Sequence, residues 1–236
     1  MKDDVQDMKD IWRINEFAET AHRKKGMDMG KLKTFFPRIF EIVYSMTETD
    51  PVLMYEQIIE IMKQEWPASD HLPVHGAWNH ALVPGIIIKC LANSGEEFSD
   101  EDVQEALERG MKIPGGSCGF HGACGGALGV GIAFSIVERI TPLHDEGRQL
   151  VMRVTSRALA CAAEIGGPRC CPRAAYSAFE LASLELGGVG HNLAISGARG
   201  RCRFTELNND CIKEKCPFFP LDQSKMGGQV PQVKYM

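Results

Sequence analysis

Apolar residues recur at helical spacing through most of the chain, and no segment shows the strict alternation that is typical of a half-buried strand. Two helix starts are well marked, because Asp50-Pro51 supplies an N-cap followed by proline and Ser99 with Asp102 forms a capping box. Pro37 is expected to bend or restart its helix, and Pro84-Gly85 to interrupt another. The pattern predicts an all-α fold, with helices over residues 4–25, 31–47, 51–66, 76–94, 100–112, 118–139, 146–164 and 172–186.

One predicted helix, 118–139, is apolar on nearly every side and carries small residues at a spacing of four. This composition predicts a buried central helix that other backbones approach closely. Residues 196–217, in contrast, contain few aliphatic side chains and would normally be disordered, so ligation through their three cysteines offers a reason for order. We therefore expect a compact multi-helix domain with an irregular C-terminal segment, divided into an N-terminal helical extension (1–66) and a Cys-rich metal-binding domain (67–236).

The composition narrows the classes of function. The chain has 236 residues, a net charge of -5 and a pI near 5.8, and nucleic-acid-binding proteins usually carry a basic excess instead. No leader-like segment opens the chain and no uncharged apolar run is long enough to span a bilayer. We expect a cytoplasmic protein that binds a small anionic molecule or a protein partner, and neither nucleic acid nor membrane. In that compartment cysteines more often bind metals or catalyse reactions than form disulfides.

Seven of the nine cysteines fall in three clusters, and the first is GGSCGFHGACGG (115–126). Cys118, His121 and Cys124 recur every third residue there, so the two thiols converge only if the helix start is irregular, which the intervening glycines permit. The N–H groups of a helix start, where Ser117 lies, favour a thiolate and could hold an anionic group of a substrate. Packing cysteines in a glycine-rich helix are the alternative interpretation.

The second cluster, GGPRCCPR (166–173), places Cys170 and Cys171 just before a predicted helix N-terminus, which would lower the pKa of both thiols. Adjacent cysteines cannot easily bind one ion, but they can bind different irons of a cluster, or one can bind while the other reacts. Arg169 and Arg173 flank them, and they either compensate thiolate charge and bind a carboxylate or phosphate, or are solvated charges of a loop.

The third cluster spaces Cys202, Cys211 and Cys216 with eight and four intervening residues, and the chain contains no CxxC motif. Structural zinc sites usually use closer pairs, whereas iron–sulfur clusters accept dispersed thiolates and Cys-Pro endings. The leading prediction is an iron–sulfur cluster, 4Fe-4S above all, with zinc and a metal-free dithiol as alternatives. The seven cysteines could divide so that the tail joins one of the adjacent pair, which leaves Cys118, Cys124 and the other around an iron with an open position. A single mixed four-cysteine cluster is equally compatible.

Histidines add candidate acid–base groups or ligands. His71, His75 and His80 lie in DHLPVHGAWNH, where Pro73 excludes a regular helical pair at 71 and 75. His75 or His80 could be a ligand or a general acid/base, although a lone histidine is more often structural. We favour His121, which lies between two candidate ligands, together with His75. The two remaining cysteines, Cys90 and Cys161, occupy apolar helix interiors and are interpreted as core residues.

Several motifs together resemble an uncharacterised, cysteine-rich prokaryotic domain family: HG followed by LVPG, GGSCGFHGACG with GVGIAFS, GGPRCC, and a C-terminal Cys-x4-Cys-Pro. The resemblance covers about residues 70–220 and leaves residues 1–66 outside. It implies a domain of archaea and anaerobic bacteria, sometimes fused to radical S-adenosylmethionine or methyltransferase modules, and it carries no established activity. A looser likeness in kind is to helical iron–sulfur hydro-lyases and desulfidases.

The leading hypothesis is an iron–sulfur enzyme that activates a small anionic substrate or handles sulfur or one-carbon groups. A non-catalytic metal-binding or electron-transfer module for a partner redox or methyltransferase protein is the alternative, and a structural zinc protein is a third.

Overall fold

The computed structural model describes residues 12–16, 29–66 and 72–220, with side chains in the second range from residue 34 onward. These parts are helical and contain no strand, which confirms the all-α prediction. Of the predicted helix 4–25, only residues 14–16 are seen as helix, and the rest lies outside the described residues apart from 12 and 13. The bounds are α1 Met29–Ser45, α2 Pro51–Glu65, α3 Trp78–Asn93, α4 Asp100–Met111, α5 Ser117–Phe120, α6 Gly125–Val137, α7 Asp145–Ile165 and α8 Cys171–Gly188, with a short 3-10 turn at Lys213–Lys215.

The two marked helix starts are confirmed. Asp50 caps α2, and its Oδ1 accepts the N–H groups of Val52 at 2.8 Å and Leu53 at 3.2 Å. Ser99 and Asp102 form the capping box of α4. Each cap satisfies backbone donors that have no partner within the helix.

The predicted interruption at Pro84-Gly85 is wrong, because α3 runs unbroken through both residues. Pro84 has no N–H to donate to the carbonyl of His80, four residues earlier. That part of α3 lies directly against α4, and a Cβ added to Gly110 would stand only 2.2 Å from the carbonyl oxygen of His80. The backbone hydrogen bond that Pro84 cannot make is thus missing at a place where α4 packs closely against α3, and α3 continues through it. Pro37 likewise lies inside a continuous α1.

The predicted helix 118–139 consists of two pieces. A single turn, α5, ends at Phe120, and α6 begins at Gly125 with Cys124 as its N-cap. Gly122 between them has φ +65°, a conformation that glycine adopts at low cost. The irregular helix start that the cysteine spacing requires is therefore present, and it interrupts the helix.

Helices α3 and α6 form the centre of the molecule, and α6 packs against α3, α4, α7 and α8. The small residues of α6 make this possible, since a Cβ on Gly129 would lie 2.8 Å from Cδ of Pro84. One continuous core of buried side chains extends from Phe35 in α1 to Phe218 near the C-terminus, and it crosses the position where we divide the chain, at residue 66. That division stays a prediction. None of the described helices has the length and apolarity needed to cross a bilayer.

Residues 189–220, which we call the C-terminal segment, are irregular but anchored by backbone and aromatic contacts. The N–H of Cys202 donates to the carbonyl of Phe218 at 2.8 Å. The rings of Phe204 and Phe218 lie against Tyr176 of α8, with centroids 6.2 and 5.4 Å away. Both phenylalanines are buried, so this segment has an apolar anchor in addition to its cysteines.

Candidate metal centre

The three cysteine clusters meet at two adjacent cavities, and all nine cysteines are free thiols. Cys170 and Arg173 line both cavities, so the α8 N-terminus is their shared wall. The large cavity, of about 410 Å³, is also lined by Cys118, Cys124, Cys171, His80 and Arg169. The small cavity, of about 20 Å³, is also lined by Cys202, Cys211 and Cys216. Four cysteines line each cavity, with Cys170 shared between them, so the four-plus-three interpretation stays a prediction.

The cysteines surround these spaces without converging on one point. In the described residues, no three His, Cys, Asp or Glu side chains are grouped as they would be around a single bound ion. Sulfur ligands of one tetrahedral zinc ion stand about 3.8 Å apart, since each Zn–S bond is about 2.3 Å. Thiolates that bind different irons of one cluster stand further apart.

Three helix starts supply the thiols of the large cavity. Cys118 lies in α5 and is exposed, Cys124 caps α6, and Cys171 is the first residue of α8. Burial raises the pKa of Cys124, although the N–H groups of Ala127 and Gly126 oppose this shift. Burial also raises the pKa of Cys171 to about 12, with the N–H of Gly76 opposing.

Burial likewise dominates at the small cavity. It raises the pKa of Cys202 to about 12 and raises the pKa of both Cys170 and Cys216. The expectation that a helix N-terminus lowers the pKa of Cys170 and Cys171 is therefore wrong, because desolvation outweighs the backbone N–H groups. Thiols with raised pKa values are protonated and less reactive at neutral pH.

Arg173 is a positively charged residue that lines both cavities. Its side chain is only 7% exposed, and its Nη2 donates to the carbonyl of Pro168 at 2.5 Å. The described part of the chain shows no ion pair between Arg173 and a carboxylate, whereas its charge lowers the pKa of Cys170, Cys216 and Cys124. Arg169 is half-buried on the large cavity, where its charge lowers the pKa of Cys171. A buried guanidinium needs a compensating negative charge, which the surrounding cysteines can supply only when they are deprotonated.

His75 holds the cysteine turn in place and does not line either cavity. Its Nδ1 accepts the N–H of Cys171 at 3.4 Å, so its Nε2–H donates to Oδ1 of Asn208 at 3.0 Å. Nδ2 of Asn208 in turn donates to Sγ of Cys170 at 3.5 Å. His75 and Asn208 thus connect the α8 N-terminus to the C-terminal segment. Sequence reasoning missed Asn208, whose only signal is its place between two of the tail cysteines.

Two other predicted site residues lie outside the lining of the large cavity. Ser117 is buried and its hydroxyl donates to the carbonyl of Pro114 at 2.8 Å, beneath a helix of only one turn. His121 is exposed. Their assigned roles stay predictions. The histidine that does line the cavity is His80, which the sequence offers as an alternative to His75.

Comparison with known proteins identifies the family. Residues 39–219 match the model described as "Family of unknown function (DUF5714)". No curated protein and no solved structure matches the chain. The match begins near residue 39 and not near 70, so residues 39–66, which we had placed outside the resemblance, are part of it. Because the match covers well over half of the chain, the protein belongs to this family of unknown function.

Proposed function

We propose that this protein binds an iron–sulfur cluster at the large cavity and uses it to activate a small anionic molecule. The observation that carries the proposal is that cysteines at the starts of α5, α6 and α8 line one cavity, which two arginines also line. Thiols buried at such a place have raised pKa values, and a bound metal cation would favour their deprotonation. Cys118, Cys124 and Cys171 are the thiols that we assign to the cluster.

The sizes of the two cavities suit different groups. About 410 Å³ falls in the range of small-molecule sites, so the large cavity has room for a cluster and a small ligand. About 20 Å³ accommodates little more than one water-sized sphere. In the described residues the thiols of Cys170, Cys202, Cys211 and Cys216 are not grouped as they would be around one ion, so a single zinc or iron bound by them would require their side chains to converge. A second cluster would require the C-terminal segment to move outward, so zinc stays the alternative at this site.

The residues around the large cavity are arranged to bind a small anion. Arg169 and Arg173 offer guanidinium groups to a carboxylate or phosphate, and the last turns of α7 supply an apolar wall through Leu159, Ala162 and Ile165. An iron that lacks a thiolate ligand can act as a Lewis acid on a hydroxyl, carboxylate or thiol. The arginines would orient the anion, and the apolar wall would exclude water from one side of it.

A non-catalytic electron-transfer module for a redox or methyltransferase partner is the competing function. Electron transfer needs a fully ligated, protected cluster, but Cys118 is exposed and the cavity beside it is large enough for a ligand. These two features favour substrate binding.

The first test is the iron, acid-labile sulfide and zinc content of protein purified without oxygen. We expect about four iron and four sulfide per chain for one cluster, and about one further zinc or iron ion if the small cavity holds a single metal. Cys118→Ala and Cys171→Ala should lose the iron and sulfide. Cys161→Ala is the matched control, because Cys161 is a buried core cysteine that lines neither cavity. Protein containing zinc and no sulfide would refute the proposal.

A second test separates the enzyme from the electron carrier. Cyanide added to the reduced protein should change its electron paramagnetic resonance spectrum if an iron can accept an external ligand. A spectrum unchanged by cyanide, in protein that contains iron and sulfide, would favour the carrier.

A further inference from the structure

His80 is a buried histidine at the wall of the large cavity. The residue is 8% exposed and lines that cavity together with Cys118, Cys124 and Cys171. The sequence offers no way to rank it above the other histidines, because its significance comes from two contacts distant in sequence.

The first contact fixes the tautomer. Nδ1 of His80 lies 3.1 Å from the carbonyl oxygen of Ile113, which can only accept a hydrogen bond, so Nδ1 carries the proton. Nε2 therefore presents a lone pair, and no described residue is found donating to it. Metal-binding histidines characteristically donate their other N–H to a carbonyl or carboxylate in this way. Burial also lowers the pKa of His80, which keeps the ring neutral.

The second contact places the His80 ring beside Gly125, the first residue of α6. A Cβ on Gly125 would stand 2.1 Å from Cδ2 and 2.5 Å from Nε2 of His80. The edge of the ring that bears Nε2 is thus packed against the first residue of α6, directly after Cys124. Any side chain at position 125 would displace this ring.

We propose that Nε2 of His80 is the nitrogen ligand of the metal group at the large cavity, beside the thiolates of Cys118, Cys124 and Cys171. The inference rests on the proposed function, since it names the fourth ligand of the same cluster. A neutral imidazole adds no negative charge, so an anionic substrate held by the arginines can replace it at its iron. The replacement of thiolate by histidine also raises the reduction potential of an iron–sulfur centre.

The test is pulsed electron paramagnetic resonance of the reduced protein, produced with either natural or ring-¹⁵N-labelled histidine. The relevant signal is the one that Cys118→Ala abolishes. We expect a directly bound nitrogen whose hyperfine coupling changes with the label. The coupling should be lost in His80→Ala and kept in His144→Ala, in which an exposed histidine at the start of α7 is replaced. His80→Cys should retain iron, lose the coupling and lower the reduction potential.

The outcomes separate the two proposals. Protein without iron and sulfide refutes the proposed function, and the ligand assignment with it. Protein that has both, but shows no label-dependent coupling in the wild type, overturns the assignment of His80 and leaves the cluster intact. Coupling that persists in His80→Ala also overturns it, because another histidine is then the ligand. If His80→Ala does not fold, the labelled wild type and His80→Cys decide the matter.

Discussion

The contact between α3 and α4 at Gly110 positions His80, and it can be tested by one added methyl group. In Gly110→Ala the new Cβ would meet three backbone atoms: the carbonyl oxygen of His80 at 2.2 Å, Cα of Ala81 at 2.6 Å and the carbonyl carbon of His80 at 2.7 Å. Ordinary contacts of a Cβ begin at 3.4 Å, so the helices must separate locally by roughly 1 Å. No change of side-chain rotamer can relieve this clash.

The expected cost follows from two opposing effects. Overpacking of a core costs about 1–3 kcal/mol, and a clash with backbone belongs at the upper end. Alanine in a helix gains about 1 kcal/mol over glycine. The net loss is about 2 kcal/mol in the free energy of unfolding, which lowers the melting temperature by about 4–8 °C in a chain of this size.

Thermal unfolding followed by circular dichroism measures this loss, on anaerobic protein whose iron content is determined for each variant. Gly187→Ala is the matched control, because Gly187 lies in α8 and has no atom within 4 Å of its added Cβ. That variant should be stabilised by up to about 1 kcal/mol. A Gly110→Ala protein that melts at or above the wild type would refute the close approach of the two helices, and with it the support beneath His80. Iron bound by the folded Gly110→Ala variant should also fall, because Nε2 moves with the backbone.

Three further predictions concern other parts of the structure. Asn208→Ala removes the hydrogen bond to Sγ of Cys170 and should weaken metal retention about 10–100-fold, measured by competition with a chelator, whereas exposed Asn209→Ala should not. Arg139→Gln removes the hydrogen bonds that lower the pKa of Asp102. The stability that they contribute is complete above about pH 4 and is lost as the pH falls through the lowered pKa of Asp102. Urea unfolding of the two proteins should therefore differ at pH 7 and the difference should shrink in acid; a difference that stays constant in acid contradicts this. Removal of metal by chelation should expose the C-terminal segment to proteases while α3 and α6 stay protected, and equal cleavage with and without metal would count against ligation there.

The helices were predictable because their signals are local. The Asp50 cap, the capping box at Ser99 and the apolar periodicity each depend on residues within a turn or two. The errors arose where distant residues decide the outcome. Pro84 lies inside an unbroken α3 that packs closely against α4 and α6, and Gly122 adopts a positive φ in a stretch that reads as one apolar helix. The apolar pattern of one segment does not show which helices pack against it or which of its glycines adopts a positive φ.

The site was predictable in part for a related reason. Cysteines grouped beside glycine and proline identify the residues around both cavities, and the division into two sets follows from the two sides of the α8 N-terminus. Spacing could not rank the histidines, because His80 depends on Ile113 and Gly125, which are distant in sequence. Spacing also could not show that burial raises the pKa of Cys171 by more than backbone N–H groups lower it.

The adjacency of Cys170 and Cys171 means that a single peptide unit separates the walls of the two cavities. Cys170 lines both, and the negative charge of its thiolate raises the pKa of Cys171. Electrons and strain would therefore have a covalent path of a few bonds between groups bound on the two sides. A residue inserted between these cysteines would preserve every ligand type in the chain but lengthen that path and rotate one thiol away from its cavity. A group bound at one cavity would therefore be linked through this short stretch of backbone to a group bound at the other.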